Sequence, residues 1–269
     1  MAEQQQWFLD RHEFENLGLA LASDTEAYGG HLGKARELTK RAVDSAIRTG
    51  SKENGALWQA VAAQREAAYG NPAEARKFAA EALRLAPASQ EAEFESALAF
   101  ARVGDTARTE SLALDLGKQF PLDTQMQSLW LPAIQAQLAL DRKNPASALK
   151  TLQAASPIEL GIAGQTCFYH VYVRGEAFLA AGEGKAAAAE FQKIIDHSGI
   201  VWNCWAGALA HLGVARANAL QARTSQGADA DAARTRALAA YKDFLTLWKD
   251  ADPDVPILKQ AKAEYAKLK

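Results

Sequence analysis

Apolar and small residues along this chain fall in paired blocks, each pair joined by a short glycine or asparagine turn. The clearest pair predicts one helix from about Lys52 to Tyr69 and a second from Pro72 to about Leu85. Gly70 suits the left-handed residue that ends a helix. Asn71 is placed to cap the next helix, and Pro72 fits a first turn that needs no amide hydrogen. Pro87 stops the second helix. Small residues mark the predicted crossings: Ala63 stands seven positions before Gly70, and Ala75 and Ala82 five and twelve after it. Thirty-four residues separate Gly70 from Gly104, and thirty-four separate Pro87 from Pro121. A hairpin of this size cannot bury its apolar face alone, so the period predicts stacked units in a helical solenoid.

The other units follow the same template. One turns at Gly104 and Asp105, with Ala97, Thr109 and Leu116 in the matching places. Another turns at Lys143, Asn144 and Pro145, with Ala136, Ala148 and Ala155. The fifth has Gly175, the turn Gly182, then Ala187, Phe191 and Ile194. The first is looser, with Ser23, Gly30, Ala35 and Ala42. The sixth carries Leu209, Gly213 and Ala217, then Ala237, Tyr241 and Phe244, and the polar stretch from about Thr224 to Asp231 predicts a lengthened turn. Asp250 to Pro256 reads as a break. Leu258, Ala261, Tyr265 and Leu268 share one face of a last helix, as a polar-backed cap requires. Pro132 should kink or restart its helix, because it cannot donate to the ladder.

This pattern resembles the tetratricopeptide repeat (TPR), most closely in Val171-Tyr-Val-Arg-Gly-Glu-Ala-Phe-Leu-Ala-Ala-Gly182 followed by Ala187 and Phe191. The resemblance implies an all-α, right-handed TPR-like solenoid. It would form one domain over residues 1–269, with repeats at about 3–48, 52–87, 89–121, 123–157, 167–198 and 203–249 and a capping helix at 256–269. A narrower likeness lies in Phe120-Pro-Leu-Asp-Thr, Trp130-Leu-Pro, Phe191-Gln-Lys-Ile-Ile-Asp-His-Ser-Gly-Ile200, and the ending Tyr241-Lys-Asp-Phe-Leu-Thr-Leu-Trp-Lys-Asp-Ala-Asp-Pro-Asp-Val-Pro-Ile-Leu. It is similar to the C-terminal TPR regions of acidobacterial-type Ser/Thr kinases and winged-helix regulators. It implies a sensory or docking half of such a protein, without the kinase residues.

Composition narrows the functional classes. Apolar residues make up 49% of the chain, many of them alanine, which fits tightly approaching helices. A net charge of -2 gives no electrostatic footprint for nucleic acid. No apolar run reaches the roughly 20 residues of a membrane span. Met1 to Phe14 shows no secretion signal, and two cysteines without a framework favour a reducing cytoplasm.

Catalytic and metal-binding constellations find no match. A kinase needs a strand lysine, a catalytic-loop aspartate and a metal-binding Asp-Phe-Gly, and the set is absent from the sequence. Gly182, Gly184 and Lys185 lack the spacing and the following Ser or Thr of a phosphate loop. Asp250, Asp252 and Asp254 alternate as in a calcium loop, but Val255 and Ala261 stand where Gly and Glu are needed. His12, His31, His170, His197 and His211 form no close ligand pair. Cys167 and Cys204 precede the first helices of neighbouring repeats. Helix axes about 8–10 Å apart put them beyond disulfide reach, which predicts two partly buried reduced thiols. Arg174 takes a position these repeats give to leucine, and an internal polar staple is the favoured reading over a partner-facing cation.

The aromatic residues Trp130, Phe168, Tyr169, Tyr172, Trp202 and Trp205 cluster at the starts of first helices in the fourth to sixth units. The TPR resemblance implies that first helices line a concave groove. Some rings, Phe168 among them, belong to the core. One of the tryptophans is expected there too, and some of Trp130, Tyr169, Tyr172 and Trp205 make a candidate partner site, with Gln137 and Glu176 orienting a bound peptide; the alternative is that these rings only fill the core between repeats. The faces that would carry a basic clamp for an acidic chain end hold Ala20, Asp24, Ala60, Gln64, Phe94, Leu98 and Ala133, so that partner is disfavoured. The sequence therefore predicts a non-enzymatic scaffold for a protein or peptide. No cofactor, metal, nucleic acid or membrane is expected. The alternative is the regulatory region of a bacterial kinase or transcription regulator.

Overall fold

The computed structural model describes Phe8 and residues 11–155, 157–161 and 167–269; most of the stretch read above for a secretion signal lies outside them. Every regular element among the described residues is helical. Six hairpins follow one another: α1 (Glu15–Tyr28) with α2 (Leu32–Arg48), α3 (Lys52–Tyr69) with α4 (Pro72–Leu85), α5 (Gln90–Arg102) with α6 (Thr106–Gln119), α7 (Leu131–Asp141) with α8 (Pro145–Leu152), α9 (Tyr169–Ala180) with α10 (Gly184–Asp196), and, after the short α11 (Ser198–Val201), α12 (Trp205–Thr224) with α13 (Gly227–Leu247). A last helix, α14 (Pro256–Leu268), follows.

The small residues close the hairpins as their spacing predicts. Ala63, Ala75, Ala82, Ala97, Ala136, Ala148, Ala187, Ala217 and Ala237 are all buried. Gly70 ends α3 at φ 93°. Asn71, however, does not cap α4: its amide donates to Glu66 at 3.0 Å instead, because that buried carboxylate is the stronger acceptor. Asn144 does cap α8, accepting from the Ser147 amide at 3.1 Å. Ahead of Pro132 the chain takes a π-helical turn, Met126–Trp130, and regular α geometry begins at Leu131. The missing proline N–H breaks the ladder where the sequence predicts an irregularity.

The turn of the sixth hairpin is shorter than expected. Residues 227–231 belong to α13, and only Ser225 and Gln226 separate it from α12. Ala228, Ala230 and Ala232 favour helix enough to absorb the polar stretch. On α14, Leu258 and Ala261 are buried while Tyr265 and Leu268 remain half-buried.

The chain forms two compact units. The first comprises residues up to Leu116 together with Asp250–Pro256. In it α3 packs on α4, α2 and α5. Arg36 of α2 forks onto Glu66 of α3, with both bonds at 2.7 Å and the carboxylate fully buried. Arg65 donates to Asp24 of α1 and to the Thr39 hydroxyl, each at 3.0 Å, and the Tyr69 hydroxyl donates to the Ala27 carbonyl at 2.6 Å. The segment read as a break is part of this unit. Asp252 donates its amide to the Gly30 carbonyl at 3.1 Å, and its carboxylate accepts from the Gly33 amide at 2.7 Å in the first turn of α2.

The second unit comprises Gly117–Lys249 and Ile257–Lys269. Here α9 packs on α8 and α10, and α12 packs on α10 and α13. Phe191 of α10 lies between two glycines. A Cβ built on Gly175 of α9 would meet its ring at 2.8 Å, and one on Gly213 of α12 at 2.5 Å. Only glycine lets the ring seat so deeply.

Candidate functional site

The rings expected to face a partner are packed into the second unit. Tyr169 and Tyr172 stand at the start of α9, and Trp205 opens α12. Tyr169 stacks on Trp205 at 5.5 Å between centroids, and Tyr172 meets Trp205 edge-on at 5.0 Å and Phe191 at 5.4 Å. Tyr169, Trp205 and Tyr172 are 1%, 3% and 5% exposed, so these contacts bind α9, α10 and α12 to one another. Trp130, at the end of the π-helical turn, is also buried. Gln137 of α7 is nearly buried, and no described group hydrogen-bonds its Oε1. Glu176 of α9 is half-buried. The structure thus brings Tyr169, Tyr172 and Trp205 together as one packed cluster.

The expectation of two reduced thiols is overturned. Cys167 and Cys204 form a disulfide, with their Cα atoms 5.7 Å apart. The distance between helix axes does not govern this pair, because both residues lie in the segments leading into the helices. Cys167 and Phe168 have positive φ, 53° and 54°, with Phe168 in the left-handed helical conformation, and Trp202 has φ 55° with ψ -126° after α11. These turns carry the two chain segments towards each other before α9 and α12 begin. Phe168 is fully buried, its ring near those of His170 and His197, while Trp202 is exposed.

Arg174 is the internal staple that its position suggests. Its Nη2 donates to Glu159 at 2.7 Å and to Glu190 at 2.6 Å, and Lys193 donates to Glu159 at 2.8 Å. Burial works against the Glu159 carboxylate, but the Lys193 and Arg174 hydrogen bonds outweigh it and hold its pKa below the usual range. One turn earlier on α9, His170 is 1% exposed, and no described group hydrogen-bonds its Nε2. Burial first, then the nearby Arg174 charge, push its pKa down to about 4. The pair is built for cohesion: a neutral imidazole beside a guanidinium whose Nη2 is shared by two carboxylates, while no described group hydrogen-bonds its buried Nη1.

An open cleft of 740 Å³ lies on another face of the second unit, among α9, α12, α13 and α14. Arg216 of α12 forks onto Glu264 of α14, with both bonds at 2.9 Å, and the Tyr241 hydroxyl of α13 donates to the same carboxylate at 2.9 Å. Burial and the adjacent Glu264 charge raise the Tyr241 pKa, so the phenol stays a donor. Arg234 of α13 donates to the Leu268 and Lys269 carbonyls at 2.8 and 3.0 Å, closing the end of α14. Sequence reasoning passed over this cleft. The signal was Arg216, Leu220 and Arg223, spaced to share one face of α12, but the arginines were invisible without the facing helix.

Among the described residues no group of three or more His, Cys, Asp and Glu side chains is placed to hold a metal ion. No described helix is long and apolar enough to cross a membrane. No known protein-family model matches this chain, and no curated protein matches it.

Proposed function

We propose that this chain is a non-catalytic scaffold of the tetratricopeptide type that binds a protein or peptide partner. One observation carries the reading. Hairpin after hairpin is closed by alanine and glycine, while the second unit keeps an open cleft bounded by four helices. The polar groups inside are spent on holding helices together: Arg36 on Glu66, Arg174 on Glu159 and Glu190. The second unit's ring cluster is consumed the same way, so the partner contacts its polar and half-buried rim rather than the rings themselves.

Selection from a displayed random-peptide library against the purified protein tests the reading. A selected peptide should bind saturably and slow amide exchange on α9, α12 or α14. If no sequence is enriched over a bare support, or ATP-dependent phosphate transfer copurifies with the protein through every step, the scaffold reading is wrong.

A further inference from the structure

The cleft among α9, α12, α13 and α14 carries an imbalance of charge that the fold does not use. Arg216, Arg223, Arg234 and Lys267 line it against one carboxylate, Glu264, in a chain whose net charge is -2. Two of the four cations are occupied. Arg216 is neutralised by Glu264, and Arg234 closes the end of α14. Burial alone would lower the Arg216 pKa, but the Glu264 hydrogen bonds more than offset it, so the guanidinium stays charged and fixed. Arg223 and Lys267 are different. Both side chains are exposed, and neither has a hydrogen-bond or ion-pair partner among the described residues. They stand on α12 and α14, two helices that the Arg216–Glu264 fork locks in register. Leu179, Leu220 and Leu268 supply apolar lining in the same cleft.

These features select a ligand. A free small anion would use the two cations and leave the leucines wet. A nucleic acid would need a longer run of phosphate contacts and free stacking rings, and the cleft's one ring, Tyr241, is buried and bonded to Glu264. A peptide that alternates acidic and apolar side chains satisfies both halves, and the cleft falls within the ~300–1,000 Å³ of typical ligand sites. Resting on the scaffold reading above, we propose that this cleft binds an internal acidic peptide segment. Its side-chain carboxylates pair with Arg223 and Lys267, and its apolar side chains lie on Leu179, Leu220 and Leu268. The Glu264–Arg216 fork is the built-in example of the recognition chemistry: a carboxylate held by a guanidinium on α12.

The probe is a short fluorescent peptide alternating aspartate and leucine, capped at both ends so that only side-chain carboxylates are present. It should bind the full chain saturably and weaken as salt rises. Arg223→Glu combined with Lys267→Glu should reduce affinity by at least about tenfold. The thermal midpoint should stay unchanged, because both side chains are exposed. The matching asparagine–leucine peptide should bind far more weakly. Equal binding of the two peptides, or full affinity in the charge-reversed variant, overturns the proposal. So does an oligothymidylate that binds more tightly than the acidic peptide. If library-selected peptides bind while the aspartate–leucine probe does not, the scaffold stands and this cleft assignment falls. If neither binds, both fall.

Discussion

The two units share one repeat pattern but are held together by different chemistry. In the first, the faces between helices are lined with alanine, and hydrogen-bonded side chains bridge them: Arg36 to Glu66, Arg65 to Asp24 and Thr39, Gln64 to Glu95 at 2.6 Å. In the second, one phenylalanine sits between two glycines, aromatic rings pack on each other, and a disulfide ties the entries of α9 and α12. Small residues at a hairpin crossing set how close two helices come. They leave open what fills the space between successive hairpins. That space takes polar pairs, rings or both, as the Arg174 staple beside the ring cluster shows, and the fillings respond differently to truncation, reduction and acid.

The largest expected difference comes from Phe191. Phe191→Ala should cost about 3–5 kcal/mol, because the surrounding glycines offer no side chain to fill the hole. Gly175→Leu should overpack the same site and cost about 1–3 kcal/mol. Urea denaturation of both variants checks this. A midpoint unchanged in either would show that the ring is not the wedge between α9 and α12.

Removing the disulfide comes next. The bridge spans 37 residues, for which the chain-entropy account gives about 4 kcal/mol. Cys167→Ser with Cys204→Ser should speed amide exchange in α9 and α12 and leave α3 and α4 as they were. Equal loosening of α3 would contradict a bridge that acts within the second unit.

Acid should also separate the units. His170 is held neutral, with its pKa near 4 against an ordinary 6.5. Its contribution is complete above pH 6.5 and is lost as pH falls towards 4, about 3 kcal/mol over that window. Asp24 runs the other way. Desolvation, only partly opposed by Arg65, raises its pKa to about 6, so its contribution is complete below pH 3.8 and is lost as pH rises through 6. Its side chain keeps 26% of its surface exposed, which makes its slope the shallower one. Stability measured from pH 7 to 4 should fall less steeply in His170→Leu and more steeply in Asp24→Asn. Parallel slopes in all three proteins would remove this distinction.

A smaller effect than that of Phe191→Ala or of the disulfide is expected at the polar seam of the first unit. Glu66→Gln removes the charge from two short bonds, yet Arg36 is 38% exposed and can turn to water. The cost should be about 1.5–3 kcal/mol by thermal denaturation, well below that of Phe191→Ala. A larger loss would mean that the seam, not the alanine crossings, holds α2 to α3.

The sequence by itself determined the hairpins. Turn glycines, helix-starting prolines and alanines at fixed offsets act within a few tens of residues, so Lys52–Tyr69, Pro72–Leu85 and the irregularity at Pro132 were legible. Arg174 as an internal staple was legible too, since a buried guanidinium needs partners whatever the fold. Tertiary structure decided what depends on which segments meet. It buried Tyr169, Tyr172 and Trp205 against each other, because aromatic spacing cannot say which side of a helix a neighbour covers. It joined Cys167 to Cys204 through positive-φ turns that axis spacing cannot foresee, and this removes the sequence argument for a reducing compartment. It seated Asp252 on the first turn of α2, across 219 residues. It also gathered Arg216, Arg223, Arg234 and Lys267 from three helices into one cleft, because a charge's neighbours are set by packing, not by its place in the chain.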